Sequence, residues 1–188
     1  MHSEKVDAQD ATGAVLIRGG SADEQLHITG SYDVKCLDAD GNVKWEDTIK
    51  NLVVTVGQAN LLNVYFASAT QTTTWYLGLV DGASSPTYNS ADVANSHSGW
   101  TENTGYSNST RPTATFTTTA TNSISTSATT FNINAAGTIA GAFMINNSTK
   151  GGTTGTLYSA GNFTGGYPGG SRTVASGDSL LVTYTASV

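Results

Sequence analysis

From Pro112 to the C-terminus the sequence is a succession of short strand-like segments separated by turn residues, and this pattern limits the folds open to the chain. The segments are rich in Thr and in branched or aromatic residues, which suit a pleated strand, whereas Gly and Asn between them favour tight turns. Short strands at intervals of about ten residues are typical of a β-sandwich or jelly roll, so we predict an all-β fold. The predicted strands are residues 113–118, 130–133, 138–145, 156–158 and 180–185.

The composition agrees with a folded β-protein that is poor in charge. Charged residues make up 12% of the chain, against about 25% in an ordinary globular protein, and 30 Thr and 21 Gly take their place. With 38% hydrophobic residues and only 3 Pro, the chain has enough apolar surface for a core. We predict an extended N-terminal arm over residues 1–27 that is poorly ordered in the free protein, and a β-sandwich domain over 28–188. A flexible tail that has no partner is an equally open interpretation of residues 1–27. Whether the leading hairpin, residues 28–49, is a separate unit stays open.

That hairpin is predicted from alternating apolar residues on both sides of the acidic segment 38–42. Tyr32, Val34 and Cys36 alternate with polar residues, as in a half-buried strand. Asp38, Asp40 and Asn42 superficially resemble a calcium loop, but such a loop requires Gly at its sixth position and Glu at its twelfth. Here Gly stands fourth and Ile twelfth, so a turn is the preferred interpretation.

One helix, over residues 56–67, is predicted after the short strand 52–54. Thr55 and Gln58 have capping-box spacing, and Ala59, Leu62 and Phe66 form an apolar stripe expected to pack on a sheet. Residues 75–80 are a buried-strand pattern. The long segment 81–98 that follows, with a possible helical turn from Ser90, has the length of a functional or contact-making loop.

The segment 99–112 concentrates aromatic and charged residues in a region almost without charge. Only three Lys or Arg and four Asp or Glu occur after residue 50, and Glu102 and Arg111 are two of these seven. Opposite charges so close together predict a fixed ion pair that braces the loop. Trp100 and Tyr106 lie in the same segment and are candidates for anchoring, either to a partner or in the core.

The sequence also argues against several classes of function. A net charge of −6 argues against nucleic acid, which requires a basic face. No secretory signal or membrane-spanning segment is recognisable, so synthesis in a cytoplasm is expected. The single Cys36 excludes an internal disulfide and is expected to be buried on a strand. The scattered His residues and carboxylates form no catalytic pattern, so we predict no enzyme, no metal and no cofactor.

The order of these motifs resembles a group of tailed-bacteriophage virion proteins. These are head decoration (cement) proteins and other structural proteins, and the resemblance covers about residues 50–188. It implies a β-sandwich on the outer capsid surface that bridges neighbouring copies of the major capsid protein and associates with itself as a trimer. Trp100 and Tyr106 would then be assembly anchors, and Glu102 with Arg111 would fix the loop. The resemblance rests on these segments in sequence order: 52–66, 75–79, 99–111, 131–133, 139–143, 157–160 and 177–185.

Two other interpretations remain open. The first is a tail, collar or fibre-attachment protein of the same kind of virion. The second is a carbohydrate-binding module, in which aromatic side chains would stack on sugars from an exposed face. The aromatic residues available for that role are Trp75, Tyr76, Trp100, Tyr106 and Tyr167.

Overall fold

The computed structural model describes residues 28–83, 85–117, 122–163 and 170–188; the predicted N-terminal arm, residues 1–27, lies outside them. This part of the chain forms two antiparallel sheets and one short helix, which confirms the predicted all-β class. The elements in chain order are β1 (Thr29–Leu37), β2 (Val43–Lys50), β3 (Leu52–Val53), α1 (Thr55–Phe66), β4 (Trp75–Asp81), β5 (Glu102–Asn103), β6 (Thr113–Ala114), β7 (Phe116–Thr117), β8 (Ser123–Thr126), β9 (Thr129–Asn132), β10 (Gly137–Ile145), β11 (Leu157–Asn162), β12 (Arg172–Val174) and β13 (Ser179–Ser187).

The strands divide between a first sheet of six and a second sheet of seven. The first sheet has the order β2-β1-β13-β8-β7, and β9 pairs with β13 beyond the end of β8. The second sheet has the order β3-β11-β10-β4-β5, with β12 also on β10 and β6 also on β4. The strand predicted over 138–145 is thus β10, a central strand, as expected for so apolar a segment.

The leading hairpin is present as predicted and belongs to the first sheet. Its first strand pairs with the last strand of the chain along its whole length, from Thr29 opposite Ser187 to Leu37 opposite Ser179. The carboxylate of Asp38 closes the hairpin turn, because it accepts hydrogen bonds from the backbone N–H groups of Asp40 and Asn42 at 3.0 and 2.8 Å.

The main core lies between the two sheets and follows the alternation seen in the sequence. Tyr32, Val34 and Cys36 point inward from β1 and are at most 3% exposed, and Val182 and Tyr184 face inward from β13. The rings of Tyr32 and Tyr184 lie 4.7 Å apart. Strand alternation therefore predicted which face of the first sheet is buried.

The second sheet is buried on its outer face as well. A second apolar cluster, including Val80, Trp100, Ala140 and Phe143, covers that face, and residues of the long segment 82–101 contribute to it. This explains why β4, β10 and β11 are continuous buried runs. The helical turn considered at Ser90 is wrong: turns and an isolated bridge between Val93 and Ser96 occur there.

The helix occurs close to its predicted position, but the capping box is wrong. Val54 is the N-cap and provides no side-chain hydrogen bond. The N–H of Thr55 donates instead to the carbonyl of Ser90 at 2.8 Å, and the Gln58 amide reaches the carbonyl of Val53 at 3.2 Å. A neighbouring loop thus satisfies a helix N–H that the local motif was expected to satisfy.

The face of α1 that meets the sheet also differs from the prediction. Gly57 is the only buried residue of the helix, whereas Leu62, Tyr65 and Phe66 are 43%, 80% and 76% exposed. A Cβ at Gly57 would overlap the carbonyl oxygen of Tyr158 and lie 2.9 Å from its Cα. The absence of a side chain at Gly57 lets two backbones approach, and this contact orients the helix. Within the described ranges no helix has the length and apolarity needed to cross a membrane.

Candidate functional site

The segment 99–112 passes from the outer face of the second sheet to its inner face. Glu102 and Asn103 form β5 opposite Val80 and Leu79 of β4. Before this strand Trp100 joins the outer apolar cluster, and after it the chain enters the main core. The segment is therefore part of the sheet edge and not a free loop.

Trp100 is held on all sides within the outer cluster. It is 4% exposed, with the Phe143 ring at 5.1 Å and the His97 ring stacked at 3.9 Å. Its indole N–H donates to the carboxylate of Asp92 at 3.0 Å, which satisfies the one polar group of a buried Trp. The side chain anchors its own loop to the second sheet, and core packing accounts for it.

Tyr106 is buried on the other side of the same sheet. It is 0% exposed and packs edge-on against Phe131 at 5.0 Å. Burial raises the pKa of its phenol, and the nearby negative charge of Glu102 raises it further. The two aromatics predicted as anchors therefore serve two separate clusters, and neither presents a surface to a partner in this structure.

The ion pair predicted between Glu102 and Arg111 is confirmed. The two side chains are joined in bidentate fashion, with Arg111 Nε to Oε1 at 3.0 Å and Nη2 to Oε2 at 2.7 Å. The side chains of Arg111 and Glu102 are 2% and 8% exposed. In a pair so well shielded from water, each charge is compensated by the other through two short hydrogen bonds.

The ion pair joins two loops. Arg111 also donates to the carbonyls of Asn147 and Gly152 at 3.0 and 2.8 Å, and Gly151 N–H donates to Glu102 at 2.7 Å. These bonds tie the segment 99–112 to the segment 146–155, which connects β10 with β11. The arrangement braces one end of the molecule, as the sequence predicted for its own loop.

Two contributors to this region could not be assigned from the sequence. Lys150 Nζ donates to the carbonyls of Tyr106 and Asn108 at 2.8 and 2.9 Å and lies 4.4 Å from the Tyr106 ring centre. Asp92 accepts from Trp100 across eight residues. The sequence gives one indication of their importance, which is that charged residues are rare after position 50: Lys150 and Asp92 are two of only seven.

A cavity of about 230 Å³ lies beside the ion pair. It is small, and the charged side chains that line it are already paired with each other, so it does not point to a particular reaction. Its lining includes His97, Trp100, Glu102 and Arg111, and the last two already neutralise each other. Among the described residues, no group of three His, Cys, Asp or Glu side chains is placed to hold a metal ion. What the arrangement does is hold the two loops in position.

A second polar cluster surrounds the single thiol at the end of β1. Cys36 is 0% exposed, as predicted, and its Sγ lies 3.7 Å from Asp178 Oδ2, which also binds Lys44 at 2.5 Å. Burial, followed by the negative charge of Asp178, raises the pKa of Cys36 to about 11. Asp178 in turn accepts from Ala175 N–H at 2.8 Å, so it also closes the turn that precedes β13.

We expect Cys36 to resist thiol reagents in the folded protein. A pKa two units above the ordinary value leaves roughly a hundredfold less thiolate at pH 8, and burial blocks access as well. The rate of modification by a chromogenic disulfide reagent at pH 8, measured with and without urea, tests this expectation. Stoichiometric labelling within seconds in native buffer would contradict it.

A scan of the sequence against models of known protein families finds no match, and a comparison with curated protein sequences finds no similar one.

Proposed function

We propose that this chain is a non-enzymatic structural protein of a tailed-bacteriophage virion. In this proposal it is a β-sandwich of the jelly-roll type that decorates the outer capsid surface. It stabilises the shell by bridging neighbouring copies of the major capsid protein, and it associates with itself as a trimer. The observation that carries the proposal is the outer face of the first sheet. Within the described residues this face is exposed or half-exposed, whereas the corresponding face of the second sheet is covered.

That open face is built from short cross-strand rows of hydroxyl side chains. Ser31, Thr185 and Ser125 form one row across β1, β13 and β8, and the last two share a hydrogen bond of 2.8 Å. Thr183 faces Asp33 in the next row. All five side chains point away from the core and are exposed or half-exposed.

The charges on this face are largely satisfied within it. Asp33 accepts a hydrogen bond from Thr48 at 2.7 Å, and Lys35 pairs with Glu46 at 2.5 Å. Burying such a surface against another protein removes few unpaired charges from water, so the desolvation cost is low. A sheet face rich in hydroxyl groups supplies the many modest contacts that a large assembly interface uses.

Immunogold labelling of whole virus particles with an antibody against this chain tests the proposed location. Gold spread across the head supports capsid decoration. Gold confined to the tail or neck would favour the tail, collar or fibre-attachment alternative. The absence of label on particles, with working controls, would overturn a virion role and leave the carbohydrate-binding module as the remaining hypothesis.

Placing a charge in the centre of the open face is expected to weaken binding to particles. In Thr185→Lys an ammonium group would be buried between hydroxyl neighbours with no carboxylate in its row, so we expect affinity to fall by at least about tenfold. Co-sedimentation of the purified variant with capsids measures this loss. Thr87→Lys adds the same charge at an exposed position of the segment that covers the second sheet, and serves as the matched control. Equal binding by both variants and the unmodified protein would contradict the proposed interface.

The carbohydrate-binding alternative receives less support from the aromatic side chains. Trp100 and Tyr106 are buried, and Trp75 and Tyr76 are half-buried. Tyr167 lies outside the described residues. Sugar binding of this type needs several exposed and coplanar rings, which the four described side chains do not provide.

A further inference from the structure

The main core is open to solvent at one end, beside α1. A groove of about 940 Å³ lies there, with Trp75 and Tyr158 from the second sheet and Phe116 and Tyr184 from the first sheet among its lining residues. Trp75 and Phe116 are only partly buried and pack against the core cluster. The groove is thus continuous with the hydrophobic core.

The helix forms one wall of this groove with its apolar side chains. Leu62 and Phe66, which were predicted to pack on the sheet, line the groove together with Tyr65, and all three remain exposed. On the opposite side Ile124 of β8 is 40% exposed and also lines it. Among the described residues that line the groove, none is Asp, Glu, Lys, Arg or His. An exposed apolar surface of this kind is usually covered by another segment or molecule, and a lining without charged side chains favours an uncharged, largely apolar occupant.

The first described residue of the chain lies at this groove. Ile28, the first described residue, is itself one of the lining residues, so the chain before it is covalently joined to the protein at this groove. The longest uncharged stretch within them is residues 11–17, between Asp10 and Arg18, and it ends in the apolar run Ala-Val-Leu-Ile. This apolar run matches the apolar side chains that line the groove.

The length of the connection allows the run to reach the groove of its own chain. Ten residues, 18–27, separate the run from Ile28 and span at most about 33–36 Å when extended. Gly19 and Gly20 supply residues suited to a reversal of chain direction. A tether of this length gives a millimolar effective concentration, which favours the same chain over a neighbouring copy.

We propose that residues 14–17 of the N-terminal segment occupy the groove of the same chain. Val15, Leu16 and Ile17 would cover the open end of the core and the apolar wall of α1, while the charged residues on both sides stay in water. The inference concerns the isolated protein and does not depend on the proposed capsid function.

A disulfide trap in the full-length chain tests this placement. Cysteines are introduced in Leu16→Cys/Leu62→Cys, while the buried Cys36 is kept, and the protein is oxidised at low concentration. Non-reducing electrophoresis and mass spectrometry should find a disulfide within one chain that links positions 16 and 62. The matched control Val6→Cys/Leu62→Cys places the first thiol outside the apolar run and should give a much lower yield. A disulfide mainly between two chains, or equal yields in both variants, would overturn the proposal.

A second measurement does not rely on cross-linking. Leu16→Asp should release the run from the groove and raise the fluorescence of an apolar dye such as ANS by severalfold, whereas Val6→Asp should leave it unchanged. Both substitutions lie before Ile28, and far-UV circular dichroism would verify that the β-domain stays folded in each variant. Equal dye fluorescence in the two variants and the unmodified protein would also overturn the proposal.

Discussion

Replacing Glu102 with Gln is expected to lower the free energy of unfolding by about 3 kcal/mol, because it leaves Arg111 as an uncompensated buried charge. The neutral amide keeps the shape of the carboxylate but loses the charge that both guanidinium contacts require. It also weakens the contact of Gly151 N–H with this side chain, so the two bridged loops should loosen together. Urea denaturation monitored by Trp fluorescence gives the change in unfolding free energy.

The pair Lys35–Glu46 supplies the matched control for this prediction. Its side chains are 46% and 55% exposed, so Glu46→Gln removes a carboxylate of the same type from a water-screened pair. We expect that substitution to change the free energy of unfolding by less than about 1 kcal/mol.

The double substitution Glu102→Gln/Arg111→Met should destabilise the protein by less than the sum of the two single substitutions, since it removes both buried charges. An unchanged melting temperature of Glu102→Gln would show that the ion pair does not hold this end of the molecule.

Gly141→Ala is expected to destabilise the protein by about 3 kcal/mol or more, or to prevent folding, although it adds only one methyl group. Gly141 lies in the centre of β10, where it pairs with Asn162 of β11. A Cβ there would overlap the carbonyl oxygen of Gly161 and lie 2.9 Å from the Cα of Asn162. Both obstacles are backbone atoms of a paired strand, so they cannot move without breaking the central pairing of the second sheet.

Gly137→Ala tests whether crowding is the cause. Gly137 begins the same strand, and a Cβ built on it meets no heavy atom within 4 Å. We expect Gly137→Ala to be neutral or slightly stabilising, since Ala restricts the unfolded chain. Thermal melts of the two variants, followed by circular dichroism, should therefore separate widely. Similar melting temperatures would mean that the close approach of β10 and β11 is not required.

The periodic parts of the fold could be predicted because their periodicity comes from solvent exposure along a single element. Tyr32, Val34 and Cys36 alternate in the sequence because one side of β1 faces the core. The continuous apolar segments 75–80 and 138–145 likewise indicate strands that are covered on both faces. The sequence does not say what covers them, and the segment 82–101 does so through Trp100 and its neighbours.

Within the candidate site, the ion pair was predictable and the fate of the aromatics was not. Glu102 and Arg111 are close in sequence and scarce in type, which suffices to predict that they meet. Trp100 and Tyr106 are just as close, but they fall on opposite faces of the second sheet. Only the path of the chain around β5 separates them, and that path depends on strand pairing with β4.

The sequence by itself determined the all-β class, the hairpin turn at Asp38, the position of the helix and the Glu102–Arg111 pair. Each follows from the local spacing of residues and from the free-energy cost of exposing apolar groups to water or of burying charged groups without a partner. The tertiary structure alone decided three features: the orientation of α1, the carbonyl of Ser90 as acceptor for the N–H of Thr55 at the start of the helix, and the open end of the core. The reason is that backbone contact at Gly57, where no side chain intervenes, fixed the helix against Tyr158 and left its apolar stripe facing solvent.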